Sequence, residues 1–259
     1  MVLTAADATR GSWGNNAGAV DADKPTVVIL CGGRGTRLQA RGSDLPKPLV
    51  EIGGRPILWH VIQIYLAQGF RRFLLLTGHR GEQISRFVDR QTWPADASVN
   101  CLDTGADTPT GGRLYLAADH LDGADFCLTY ADGVADIDLE QLLAYHAGHD
   151  APATMTVVRP ELPFGVAALD GDGTVSAFCE KPRSEQWVNG GFFCLRQAVF
   201  ELLGPGSVLE REPLAALAAH GGLRAFRHEG FWDCLDTYKD ALLLNDLWAS
   251  GAAPWKVWA

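Results

Sequence analysis

Five short stretches of the chain bring glycines, lysines and carboxylates together in ways suited to handling phosphate. The first is Leu30-Cys-Gly-Gly-Arg-Gly-Thr-Arg-Leu38. Gly32, Gly33 and Gly35 would let the backbone approach a polyphosphate closely and aim its N–H groups at it. Thr36 and Arg37 would add a hydroxyl and a fork-shaped cation. An ordinary strand-to-loop turn has a similar composition, and the spacing is neither a Walker A loop nor a GxGxxG loop. The second stretch is Pro46-Lys47-Pro48, whose prolines restrict the backbone on both sides. The whole chain has five lysines against seventeen arginines. A lysine kept between two prolines therefore points to an ammonium beside a reacting phosphorus, ahead of a solvated lysine on a rigid turn.

Carboxylates supply the third and fourth stretches. Asp132, in Thr129-Tyr-Ala-Asp-Gly-Val-Ala-Asp136, falls at the end of an apolar run. There it could hold Mg²⁺ against phosphate oxygens. Asp136 lies beyond that end, and an Asx turn is the competing role for a strand-end aspartate. Asp236, in Phe231-Trp-Asp-Cys-Leu-Asp-Thr237, precedes a helical pattern. Alone it reads as a helix N-cap; paired with Asp132 it becomes a second metal ligand. The fifth stretch joins Glu180-Lys181-Pro182 to Val188-Asn-Gly-Gly191. A carboxylate and an amide there could bind sugar hydroxyls while Lys181 holds a phosphate, against the alternative of a surface ion pair. The histidines lack an HExxH spacing and the serines lack a GxSxG elbow.

Rigid elements must position these groups. Pro25–Leu30, Arg72–Thr77, Ser98–Leu102 and Phe126–Tyr130 read as buried strands. They alternate with helical spacing at Pro56–Gln68, Glu82–Asp89, Gly112–Leu121 and Asp138–His149. Such alternation predicts an α/β fold whose mixed, mostly parallel sheet binds ligands at its carboxyl strand ends. Further strands are expected at Thr154–Val158, Val166–Leu169, Val175–Glu180 and Phe192–Leu195, and closing helices at Arg211–His220 and Tyr238–Ala249. Asp170-Gly-Asp-Gly173 is a hairpin signal. Residues 1–24 lack periodicity and read as a flexible tail, leaving 25–259 as a single domain.

A net charge of −9 argues against binding nucleic acid or anionic lipid, both of which call for a basic surface. Six scattered cysteines show no metal-ligand spacing. With no signal-peptide pattern and no apolar run long enough to span a bilayer, a cytoplasmic, membrane-free protein is expected.

Taken together, GGRGTRL, PKP, ADG, EKP and the late LDT resemble the sugar-1-phosphate nucleotidyltransferase family. Its glucose-1-phosphate cytidylyltransferase branch is the nearest likeness, through VEIGGRPILWH (Val50–His60), LDTGADTPTGGRL (Leu102–Leu114), DGVAD, NGGFF and APWKVW. The likeness runs from about Val27 to the end of the chain. It departs from the family pattern at Leu45, Ala131 and Asp233, and in a shorter segment between Phe87 and Leu102. The resemblance implies a Rossmann-like nucleotidyltransferase fold, CTP and a sugar 1-phosphate as substrates, and Mg²⁺ as cofactor. It puts the triphosphate on Gly32 to Arg37 and Lys47, and the base and ribose near Thr104, Thr110, Gly111 and Gly112. The metal falls on Asp132 and Asp236, and the sugar phosphate on Glu180, Lys181, Asn189 and Gly190. A homo-oligomer is compatible with it.

The chemistry so implied is in-line transfer, in which the sugar phosphate attacks the α-phosphorus and pyrophosphate leaves. Arg37, Lys47, Asp132, Lys181 and Asp236 would carry it by positioning and charge neutralisation. Two rivals stand beside this expectation. One is the same reaction with UTP, dTTP or another sugar phosphate. The other is a non-catalytic nucleotide-sugar sensor.

Overall fold

The structure, a computed structural model, describes residues 2–4, 24–35 and 45–258, the first three by backbone alone. The strands in chain order begin with β1 (Val2–Thr4), β2 (Val27–Leu30), β3 (Glu51–Ile52), β4 (Arg55–Pro56), β5 (Arg72–Thr77), β6 (Ser98–Asp103) and β7 (Asp125–Tyr130). There follow β8 (Gly133–Ala135), β9 (Ala153–Val158), β10 (Val166–Leu169), β11 (Val175–Cys179), β12 (Val188–Arg196), β13 (Leu223–Arg227) and β14 (Trp232–Cys234). The helices are α1 (Ile57–Ala67), α2 (Gly81–Arg90), α3 (Thr110–Leu116), α4 (Leu139–Ala147), α5 (Glu212–Ala219) and α6 (Tyr238–Ala249). None of them is long and apolar enough to cross a membrane.

One eight-stranded sheet, ordered β1-β6-β5-β2-β7-β12-β9-β13, organises the molecule. Only β12 runs against the rest, so the sheet is mixed but mostly parallel, with helices on both faces. Alternation along each strand divides the core. On one face Val27 and Ile29 pack with α1, α2, α4 and α6. On the other, Val28 and Leu30 pack with Leu114 of α3 and Leu214 and Leu217 of α5. This is a Rossmann-like α/β architecture. From β2 the chain steps outward to β5 and β6, then returns to lay β7 on the other side of β2. Such a reversal opens a crevice at the carboxyl ends of the two strands. The glycine-rich turn leaves β2 there, and Asp132 follows β7.

The expected strands and helices are present, with four additions. The β3–β4 hairpin, the β8–β14 ribbon and the edge strand β13 are short or largely exposed and carry no clear period. Val2–Thr4 form an edge strand parallel to Cys101–Asp103, in a stretch where the sequence suggested only a tail. Lys24, read as the end of that tail, is tied down: its Nζ donates to Gln68 O and to Glu140 Oε1, both at 2.6 Å. The third expected helix begins earlier, at Thr110, and ends at Leu116 before a single turn over Ala118–His120.

The last residues are anchored by aromatic packing. Trp255 is fully buried, and its Nε1 donates to His60 Nδ1 at 3.3 Å. Since indole can only donate, Nδ1 is unprotonated and Nε2–H donates to Ile52 O at 2.8 Å. Trp59, Trp248 and Trp258 also pack around the imidazole. Asn245 of α6 joins the same region by accepting from Gly53 N–H at 2.9 Å. Gly53 takes a positive φ of 59°, and a Cβ there would lie 2.0 Å from the Trp248 ring.

Burial pushes the His60 imidazole from 6.5 down to about 4, and that of His146 likewise. In the unfolded chain each takes up a proton near pH 6.5; in the folded protein each resists it. Stability should therefore be full above pH 6.5 and fall as pH drops towards 4, by up to about 3 kcal/mol per histidine. Asp233, raised by burial from 3.8 to about 6, works in the opposite sense over the same range. Two groups against one leave a net loss. Urea midpoints at pH 7.5 and 4.8 measure it, and His60→Gln, which cannot titrate, should remove most of it, because Asp233 then offsets His146 alone. A midpoint that did not move would show that neither imidazole stays neutral.

Candidate active site

Two of the three glycines in the turn after β2 have a steric reason. A Cβ on Gly32 would lie 2.1 Å from the Arg113 guanidinium, and one on Gly35 would lie 2.9 Å from Lys47 Cβ. Gly35 also takes a φ of +58°, which disfavours side chains. Around Gly33 a Cβ would meet nothing within 4 Å. The turn thus packs on a buried arginine and on the candidate lysine, and presents its middle to open space. Thr36 and Arg37 lie outside the described residues.

Lys47 begins a single helical turn, Lys47–Leu49, with Pro46 ahead of it and Pro48 and Leu49 buried. That turn fixes the side chain's origin. The Nζ atom reaches Asp132 Oδ2 at 2.6 Å and Asp236 Oδ1 at 2.9 Å. Burial alone would push the ammonium down, but the two carboxylates outweigh it and hold its pKa above the ordinary lysine value. Lys47 is therefore charged throughout the working pH range.

Asp132 and Asp236 are brought together by the β8–β14 ribbon. Trp232, Asp233 and Cys234 pair antiparallel with Ala135, Val134 and Gly133. Leu235 N–H then donates to Asp132 O at 2.9 Å, which sets the next residue beside the first carboxylate. Capping of α6 is done by Thr237 and Asp240 rather than by Asp236. Asp136 faces elsewhere, reaching His228 Nε2 at 3.0 Å.

A cavity of about 370 Å³ opens here, lined by Gly32, Gly33, Gly35, Lys47, Thr110, Arg113, Tyr130 and Asp132 among others. A second hollow, about 460 Å³ on the side of α2, shares no lining residue with it. Cys31 also lines the cavity, but burial and then Cys101 and Asp132 push its thiol well above the ordinary range.

Arg113 appears in the sequence only within the LDTGADTPTGGRL stretch, with no role assigned to it. It is only 4 % exposed and ties three loops together. Its Nη2 donates to Gly32 O at 2.9 Å, and its Nη1 to Thr77 O at 2.8 Å, Thr104 Oγ1 at 2.6 Å and Gly105 O at 2.8 Å. The paired glycines at 111 and 112, which no surface helix needs, were the available signal. Cβ atoms there would meet Ser207 O at 2.9 Å and Pro205 O at 2.2 Å, so these glycines admit the 205–209 loop.

The remaining expected residues divide. Thr104 is buried behind Arg113 and donates to Thr77 O at 2.7 Å, whereas Thr110 lines the cavity. Asn189 reaches the cavity wall, donating to Tyr130 OH at 3.3 Å. Gly190 packs on β9, where a Cβ would lie 3.0 Å from Val158. Glu180 and Lys181 follow β11 and are exposed, Lys181 with a φ of 47°. Among the described contacts none links Lys181 to the Lys47 group.

Residues 26–215 fit the family model described as nucleotidyl transferase. The chain belongs to this nucleotidyl transferase family. It is 40% identical over 253 residues to the probable glucose-1-phosphate cytidylyltransferase of Bacillus subtilis (strain 168), covering 90% of this chain and 99% of that protein. It is 39% identical over 255 residues to the glucose-1-phosphate cytidylyltransferase of Salmonella typhi, with the same coverage of both chains. Among solved structures, HddC from Yersinia pseudotuberculosis superposes with a TM-score of 0.67 at 21% identity, over 86% of this chain and 99% of that one. That last likeness concerns the fold.

Proposed function

We propose that this member of the family is a glucose-1-phosphate cytidylyltransferase, converting CTP and α-D-glucose 1-phosphate into CDP-glucose and pyrophosphate. The observation that carries the reading is the meeting of Lys47, Asp132 and Asp236 at the mouth of a glycine-walled cavity. The extent of likeness to named cytidylyltransferases supports the choice of substrates. A phosphate monoester is already nucleophilic, so the protein's work is to bring two anions together and balance their charge. The glycine turn would receive the triphosphate, and Lys47 would meet charge growing at the α-phosphorus. Lys181, carried on the β10–β11 arm, would orient the attacking phosphate.

The acidic pair suits Mg²⁺. Two carboxylates converge on one cationic nitrogen, and no third metal-binding side chain joins them among the described residues. Mg²⁺ takes one or two carboxylates, phosphate oxygens and water, so Asp132 and Asp236 would hold it. When bound it would neutralise charge on the phosphates. Six free cysteines support a cytoplasmic setting.

Donor choice is tested by kcat/KM for CTP, UTP, dTTP, ATP and GTP with glucose 1-phosphate, read as pyrophosphate release. CTP should lead by about tenfold or more, the effect of one or two unpaired polar groups. UTP or a purine nucleotide leading by that margin would overturn the cytidylyl assignment. In the same assay Lys47→Ala should mainly depress kcat, because its contact grows in the transition state. Lys181→Ala should mainly raise the KM of the sugar phosphate. Identical signatures would defeat that division.

A further inference from the structure

Glu210, in the turn before α5, bridges the two sides of the cavity without lining it. Its Oε2 accepts from Thr110 Oγ1 at 2.6 Å, on the wall formed by α3. Its Oε1 accepts from Tyr130 OH at 2.7 Å, at the end of β7. Asn189 Nδ2 donates to the same phenol oxygen at 3.3 Å, and Asn189 Oδ1 accepts from Gly191 N–H at 2.8 Å. The Tyr130 ring lies against Gly191, where a Cβ would come within 2.7 Å of it.

The two hydroxyls do not depend on Glu210 equally. Thr110 Oγ1 has a second anchor, Leu209 N–H at 3.0 Å. Among the described residues, Tyr130 OH has besides Glu210 only the longer bond from Asn189. Burial and then the Glu210 carboxylate push the phenol well above its ordinary value, so it remains a donor. Loss of the carboxylate would therefore loosen the Tyr130–Asn189 side and spare Thr110.

We propose that Glu210 is a positioning residue for the acceptor: it orients Tyr130, and through it Asn189, for the sugar 1-phosphate. The inference rests on the proposed transferase reaction. Glu210→Ala should raise the KM of the sugar phosphate about tenfold, the equivalent of one lost hydrogen bond, and leave that of the nucleotide within about twofold. Glu210→Gln still offers an oxygen to the phenol and should restore both to within about twofold of the parent. Tyr130→Phe should reproduce Glu210→Ala, and the double variant should be no worse than either alone. Should Glu210→Ala fail to fold, Tyr130→Phe carries the same contrast. Equal rises in both KM values, or no rescue by glutamine, would reduce Glu210 to a loop anchor and overturn the proposal. Wild-type turnover with any nucleotide and sugar phosphate tests the reaction separately. Calorimetric binding of glucose 1-phosphate alone gives a turnover-free reading: weaker in Glu210→Ala supports the proposal, and unchanged affinity overturns it.

Discussion

Asp132→Asn is expected to lower kcat by about a thousandfold or more and to leave the melting temperature within a few degrees of the parent. The substitution keeps shape and one oxygen acceptor, so Lys47 Nζ retains a partner there and a full charge on Asp236 at 2.9 Å. What disappears is half of the negative charge that would hold a divalent cation. Asp136→Asn is the matched control. That carboxylate lies four residues on, is paired with His228 at 3.0 Å, and does not touch the lysine. Its replacement should leave kcat within about threefold, as expected of a partly exposed polar contact away from the lysine. Near-parental turnover by Asp132→Asn at saturating Mg²⁺ would remove the acidic pair from the mechanism.

Arg113→Met should cost about 2–4 kcal/mol of stability, a melting-point drop of about 10 °C for a domain of this size. Methionine replaces the aliphatic stem but none of the donors. Gly105 O would lose its 2.8 Å donor, and Gly32 O and Thr77 O would keep only the donors from His79 N–H and from Thr104. Lysine would recover one or two of those contacts, because its ammonium cannot span the guanidinium fork. Scanning calorimetry of the Met and Lys variants should rank them below the parent, Met lowest. A drop of under 3 °C for methionine would mean that water reaches those carbonyls readily.

How much of this was readable beforehand differs from residue to residue. Lys47, Asp132 and Asp236 stood out because each sits in a short motif at an element boundary, where Pro, Gly and Asp restrict the backbone. Their convergence was legible only through the family resemblance, not through spacing. It depends on the β8–β14 ribbon, whose three-residue strands are too short to show alternation. Arg113 escaped because an arginine in a helical pattern looks like a solvated cation, and only its burial reveals the opposite. Gly111 and Gly112 stood out as a pair, but their approach to the backbone of the 205–209 loop was not legible, because it joins segments distant in sequence. The main strands were legible because burial on both faces leaves long apolar runs; β13 was not, its residues being mostly exposed.

The hydrogen bond from Lys47 to Asp236 joins positions 189 residues apart. On a ribosome the glycine turn, Lys47 and Asp132 leave the exit tunnel long before Asp236, and Trp255 follows later still. A nascent chain stalled after α5 would carry the cavity walls but only one of the two carboxylates, with His60 still lacking its indole donor. Such a chain would compact around its parallel strands without gaining turnover. Competence would come only with the segment that carries Asp236 and Trp255.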